Sequence, residues 1–140
     1  MKAVLDTNVV VSGIIREEGP SGQILRLLLQ EGKFTAVTSV EILAEIRQVL
    51  LRPKIRKYHG WTDEQIDTFV TFLYTQSLVT EGKLPVNVAR DPSDNKFLSC
   101  AREANVEYLV SADDDLLELK TYEGTAIVSP AAFLDTLKSS

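Results

Sequence analysis

Hydrophobic and polar positions along the chain switch repeatedly between two periods. Short apolar, β-branched runs at KAVLD (2–6), FTAVTS (34–39), VEYLVSA (106–112) and TAIVS (125–129) predict strands. Between them lie helical patterns: a first stretch followed by GQILRLLLQEG (22–32), then VEILAEIRQVLL (40–51), DEQIDTFVTFLYTQSL (63–78), DNKFLSCAREAN (94–105), DLLELK (115–120) and PAAFLDTLK (130–138). Strands separated by helices need crossover connections. The pattern therefore predicts an α/β fold, a three-layer α/β/α arrangement around a mostly parallel central sheet, in one domain spanning residues 1–140. Helix punctuation agrees: Gly32 stops the second helix, Thr62 with Gln65 forms a capping box, and Asp91-Pro92 and Ser129-Pro130 each set a cap before a proline. Thr38 reads as a cap with Glu41 as its reciprocal partner, and Pro85 to Ala89 fits either a loop or a short strand.

Composition narrows the class. With 140 residues, 44% hydrophobic and 25% charged, the chain can bury a core without staples. Its single cysteine, Cys100, permits no internal disulfide, which points to a reducing, cytoplasmic setting; the residue itself reads as a small side chain on a helix flank. No apolar run approaches the roughly 20 residues of a membrane span, and no export signal is visible, so no membrane association is expected. A net charge of −5 argues against a general electrostatic grip on nucleic acid and fits a chain that concentrates carboxylates to hold cations. The exception is RQVLLRPKIRKYHG, where Arg47, Arg52, Lys54, Arg56 and Lys57 occur without an acid; it reads either as a phosphate-facing stretch or as a solvated helix end and loop.

The acids carry the candidate chemistry. Asp6 ends the first strand and Asp113 follows the strand VEYLVSA, so both fall on the rim where parallel sheets bind ligands. Two acids there repel, unless a cation lies between them. Glu45 borders the apolar stripe Ile42, Leu43, Ile46, Val49 and Leu50 and either reaches inward or covers apolar surface with its stem. Asp94 shares a helix face with Phe97, Leu98 and Ala101; it either favours the helix dipole or supplies a charge at the end of the buried stripe, and Asp91 takes the capping role. In the run Asp113, Asp114, Asp115 the first is best placed to face the crevice, with Asp115 an outer ligand or a cap. Together Asp6, Glu45, Asp94 and Asp113 would make an all-oxygen site suited to Mg²⁺ or Mn²⁺. One histidine, His59, and one cysteine give no zinc spacing, and neither a GxxxxGK[ST] loop nor a GxGxxG turn is present. A haloacid-dehalogenase phosphatase needs a second aspartate where this chain has Asn8, and a response-regulator receiver needs an adjacent acidic pair and a late lysine that find no place here.

VLDTNVVVS, SVEILAEIRQVL, RDPSDNKFLSCA and YLVSADDDLL, in that order and over nearly the whole chain, resemble the PIN domain (PilT N-terminus), the nuclease fold of many toxin-antitoxin toxins and other ribonucleases. The resemblance implies that the acidic quartet falls on Asp6, Glu45, Asp94 and Asp113, serving both catalysis and metal binding. Asn8 and Ser111 match the polar residues that order such a pocket. It implies Mg²⁺- or Mn²⁺-dependent hydrolysis of RNA phosphodiesters with 5′-phosphate and 3′-hydroxyl products, a cognate antitoxin partner and a homodimer. The helix around Ile66, Phe69, Val70 and Leu73 has apolar surface for a core and an interface, although core alone accounts for it. The DDD run departs from the family's usual acid, variable residue, acid pattern and leaves the roles of Asp114 and Asp115 open. The alternative from another class is a non-catalytic PIN-like module that binds RNA or protein without cutting.

Overall fold

The computed structural model describes residues 1–139. In chain order the elements are β1 (Lys2–Leu5), α1 (Thr7–Ile15), α2 (Pro20–Leu29), β2 (Thr35–Ser39), α3 (Val40–Leu51), α4 (Pro53–His59), α5 (Asp63–Gln76) and β3 (Leu78–Thr80). A single 3₁₀ turn (Pro92–Asp94) then leads into α6 (Asn95–Ala104), β4 (Tyr108–Val110), α7 (Asp114–Leu117), β5 (Thr121–Tyr122), β6 (Thr125–Val128) and α8 (Pro130–Lys138). The strands form one sheet in the order β3-β2-β1-β4-β6-β5, parallel throughout except for β5 against β6.

β1 is the central strand, with Ala3 opposite Ala36 on one side and Tyr108 on the other. Ala3, Val4 and Leu109 are completely buried, as expected where helices cover both faces of a parallel sheet. α6 lies along β1 to β4, with Phe97, Leu98, Cys100 and Ala101 in the core. Elsewhere α2 packs between α1 and α8, and Phe133 of α8 meets Phe34 edge-on. Chain order along the sheet reverses between β1 and β4. Their carboxyl ends therefore open a crevice at the switch point, where ligands bind in folds of this kind.

Several expectations need correction. β3 begins at Leu78, the last residue of the helix predicted over 63–78, and neither it nor β5 was foreseen; Pro85 to Ala89 is irregular, held by Val88 and Ala89 N–H groups donating to Asn95 Oδ1. Ser39, not Thr38, caps α3 by accepting from the Ile42 N–H. Cys100 is a core residue rather than a flank one, and burial pushes its thiol up to about 11. The basic stretch is not a loop: it forms α4, where Arg56 pairs with Asp63, and Arg47 of α3 pairs with Asp67 at 2.6 Å. The Thr62–Gln65 capping box and the Ser129 cap are present.

Close approach of α1, α2 and the loop between them requires glycine. A Cβ at Gly22 would lie 2.2 Å from the Glu17 carbonyl oxygen, and one at Gly13 would lie 2.6 Å from a Leu25 methyl. The backbone contact at Gly22 cannot relax by a rotamer change. Gly22→Ala is expected to lower unfolding free energy by about 1–3 kcal/mol; an unaltered urea midpoint would show that the loop moves aside freely.

Candidate active site

Asp6 lies between β1 and α1. Its N–H donates to Val110 O at 3.0 Å, extending the β1–β4 ladder by one residue, while its side chain caps α1 by accepting from the Asn8 N–H at 3.3 Å. The residue is only 5% exposed. A carboxylate so enclosed must be hydrogen-bonded, and the fully buried Ser111 donates its hydroxyl to Asp6 Oδ2 at 2.7 Å. That hydroxyl in turn accepts the Asp113 N–H at 3.0 Å, and Asp113 Oδ1 accepts the Asp115 N–H at 3.0 Å, which caps α7. Ser111 thus ties the ends of β1 and β4 together with one donor and one acceptor.

The other two acids come from α3 and from the 3₁₀ turn that leads into α6. Glu45 accepts from the Thr7 hydroxyl through Oε1, and its Oε2 lies 2.7 Å from Lys96 Nζ. Asp91 caps the 3₁₀ turn by accepting from the Ser93 N–H, leaving Asp94 free of that duty. Asp6, Asn8, Glu45, Asp94 and Asp113 all line one crevice, with Thr7, Arg52, Asp91 and Ser93 beside them and Phe97 and Val49 as its apolar lining. Asp115 does not line it: its side chain turns away to Arg90 at 3.2 Å, which corrects its expected role as an outer ligand. Asp113 is both the α7 cap and a lining residue, so the question of which acid caps that helix has a single answer.

Electrostatics follow from this crowding. Burial raises the pKa of Asp6, opposed by its bonds from Ser111 and Asn8 and assisted by Glu45 and Asp113. Asp94 rises from the ordinary 3.8 to about 7; burial is the largest cause, followed by carboxyl contact with Asp113 that favours the protonated form, then the charges of Asp113, Asp6 and Asp91. Asp94 Oδ2 is buried and has no hydrogen-bond partner. Hard oxygen donors that raise one another's pKa, with one buried oxygen unpartnered, are the donor chemistry a small divalent cation satisfies. Among the described residues, no three His, Cys, Asp or Glu side chains close into a finished metal cage as they stand. The residues fit such an ion by chemical type, as hard oxygen donors lining one crevice.

Thr7, which lines the crevice, and Lys96, which pairs with Glu45, were missed from sequence. Lys96 looks like any surface lysine, but it stands four residues before the fully buried Cys100 and therefore on an inward-facing line of α6. Asn8 is exposed and contributes its N–H to Asp6, and Ser111 is the central hydrogen-bonding residue of the site.

Comparison with known proteins now identifies the class. A PIN domain sequence profile matches residues 2–115, and the chain belongs to the PIN domain family. It is 38% identical over 120 residues to the uncharacterized protein MJ1680 of Methanocaldococcus jannaschii, an alignment covering 86% of this chain and 76% of that one. In fold it is similar to a chain in the crystal structure of VapBC2 from Rickettsia felis bound to a DNA fragment from their promoter. The TM-score is 0.59 at 16% identity, covering 92% of this chain and 98% of the other.

The raised Asp94 pKa sets a pH signature. Between about 4 and 7 the folded chain holds a proton that the unfolded chain has released, so stability falls as pH rises through this window. In chelator, the melting temperature should decline across that range, and Asp94→Asn should flatten part of the decline and raise the melting temperature at pH 8. Asp6, raised by the same cause, keeps some slope. An Asp94→Asn protein that melts lower than wild type at pH 8 would overturn this reading of the crevice.

Proposed function

We propose that the chain is a divalent-metal-dependent endoribonuclease whose site is the crevice of Asp6, Glu45, Asp94 and Asp113, and that it is the toxin of a toxin-antitoxin pair. The observation that carries the nuclease reading is Asp94, whose unpartnered buried oxygen and pKa of about 7 stand among three further carboxylates at the sheet's switch point. Perturbed acids in a crevice of this kind are a functional signature. Asp6, Asp94 and Asp113 would hold Mg²⁺ or Mn²⁺; bound there, such an ion activates water near neutral pH and polarises a phosphoryl oxygen.

The chain's own residues do the rest. Ser111 and the Asn8 N–H hold Asp6 in one orientation, and the Ser111 link sets Asp113 relative to it. Asp94, whose pKa burial and Asp113 raise to about 7, would carry a proton in the metal-free crevice near neutrality and would give it up to serve as a ligand. Arg52 lines the crevice from the start of α4 and offers an exposed guanidinium to an RNA phosphate, while α4 adds the cations of Lys54 and Lys57 outside. Family membership supports the nuclease reading, and likeness in fold to a VapBC2 chain supports an antitoxin partner. No helix among the described residues is long and apolar enough to cross a membrane. A cytoplasmic setting and a homodimer complete the proposal.

Purified protein with Mn²⁺ should cut a panel of single-stranded and structured RNAs, and chelator should stop it. Asp94→Asn and Asp113→Asn should each slow cleavage by at least about 100-fold while binding of the RNA persists. RNA that is bound but left intact in metal would replace the enzyme by the non-catalytic binding module. Co-expression with the neighbouring reading frame, scored by growth and co-purification, tests the toxin assignment separately.

A further inference from the structure

The acids of the crevice differ in their partners. Asp6, Asp94 and Asp113 present three acids without a side-chain cation of their own, whereas both oxygens of Glu45 are already engaged, Oε1 by the Thr7 hydroxyl and Oε2 by Lys96. The Lys96 ammonium also donates to the Ser93 carbonyl and lies 4.9 Å from the centroid of the Phe97 ring. Its side chain is only 8% exposed. Lysines are almost never enclosed to this degree unless paired, and a pair so placed gives little net stability over an apolar replacement. An enclosed lysine paired with an acid of the crevice therefore asks for a role beyond folding.

Two-metal nuclease sites place their ions about 3.5–4 Å apart, and a second ion needs carboxylate oxygen beyond what the first one takes. Of the crevice carboxylates beyond Asp6, Asp94 and Asp113, Asp91 is engaged by the Ser93 N–H and hydroxyl, and Glu45 has an ammonium already 2.7 Å from its oxygen. A divalent ion brought to the same oxygen would meet that positive charge at close range in a partly desolvated setting. We infer that Lys96 takes the place of a second metal ion, so that the crevice holds one divalent cation on Asp6, Asp94 and Asp113, and Glu45 is the counter-ion of Lys96 instead of a metal ligand. Lys96 is thus a positioning residue that sets metal number. The inference rests on the metal-site reading above and narrows it.

Mn²⁺ is titrated by calorimetry, with free ion counted by electron paramagnetic resonance, into the full chain as wild type, Lys96→Met and the double variant Lys96→Met/Glu45→Gln. Folding is checked by circular dichroism. Wild type should bind one ion, Lys96→Met two, because Glu45 is released, and the double variant one again. The double variant replaces one neutral pair by another, so its affinity should stay well within the roughly 10-fold or greater loss that removing even a supporting partner of a metal site causes. Two ions on wild type, or one on folded Lys96→Met, overturn the inference and leave the metal site standing. Should Lys96→Met fail to fold, the double variant decides: a 10-fold or larger loss makes Glu45 a ligand and overturns the inference. Wild type that binds no Mn²⁺ removes the metal-site reading and the inference together.

Discussion

The site depends on one arrangement, the burial of the Asp6 carboxylate at the carboxyl end of the central strand. An enclosed carboxylate without partners would be costly enough to unfold a marginally stable domain or to drive itself neutral. The chain meets that cost with the Ser111 hydroxyl and the Asn8 N–H, one from the end of β4 and one from the first turn of α1. Because β1 and β4 are neighbours in register, with Leu5 opposite Val110, the residues just beyond each strand are forced together. The Ser111 hydroxyl, having one proton to give, gives it to Asp6 and accepts from the Asp113 N–H. Position and orientation of two of the four acids therefore follow from strand pairing plus one serine.

The remaining acids are placed by helix starts. α3 begins directly after β2 and brings Glu45 toward the crevice in its second turn; α6 begins after the 3₁₀ turn capped by Asp91 and brings Asp94 and Lys96. Asp91 matters because it relieves Asp94 of capping, and a freed acid close to Asp113 is the one whose pKa climbs to about 7. The Thr7 hydroxyl and Lys96 each engage one oxygen of Glu45. Four acids in one crevice thereby have unlike partners, although their sequence contexts look alike.

Much of this was legible before the structure. The four strands read from apolar runs are β1, β2, β4 and β6, the pairs that build the switch point, because a strand buried on both faces needs a near-continuous apolar run that few other contexts produce. The edge strands were not legible. β3 has three residues that continue the apolar rhythm of α5, and β5 has two, joined to β6 by a turn whose Glu123 and Gly124 both have positive φ without the Asn-Gly or Asp-Gly signal. α1 runs through Val9, Val10 and Val11, a β-branched stretch that local preference would make a strand; the Asp6 cap and burial of all three valines against the core override it. The acids were legible as candidates because their positions relative to strand and helix ends limit where they can lie. Their partners were not: nothing in DNKFL distinguishes Lys96 from a solvated lysine until the packing of Cys100 sets the inward face.

The proposed substrate is a polyanion and the chain carries a net charge of −5, so the distribution of charge matters more than its sum. Much of the cationic side-chain density near the crevice sits on one side, from Arg52 through Lys54 and Lys57, and the acids that would pair with it are elsewhere; Arg56 alone in α4 is tied, to Asp63. A phosphate chain approaching along α4 would meet positive charge up to Arg52 and then the aspartates, which repel it unless a divalent cation is bound there. Such an order makes productive approach conditional on the metal: without the ion, the last few ångströms are electrostatically closed. An internal ammonium at Lys96 cannot substitute for it, since its charge is paired with Glu45. On the proposed function, the acidity that disfavours general nucleic-acid binding would restrict RNA access to a metal-loaded state of the protein.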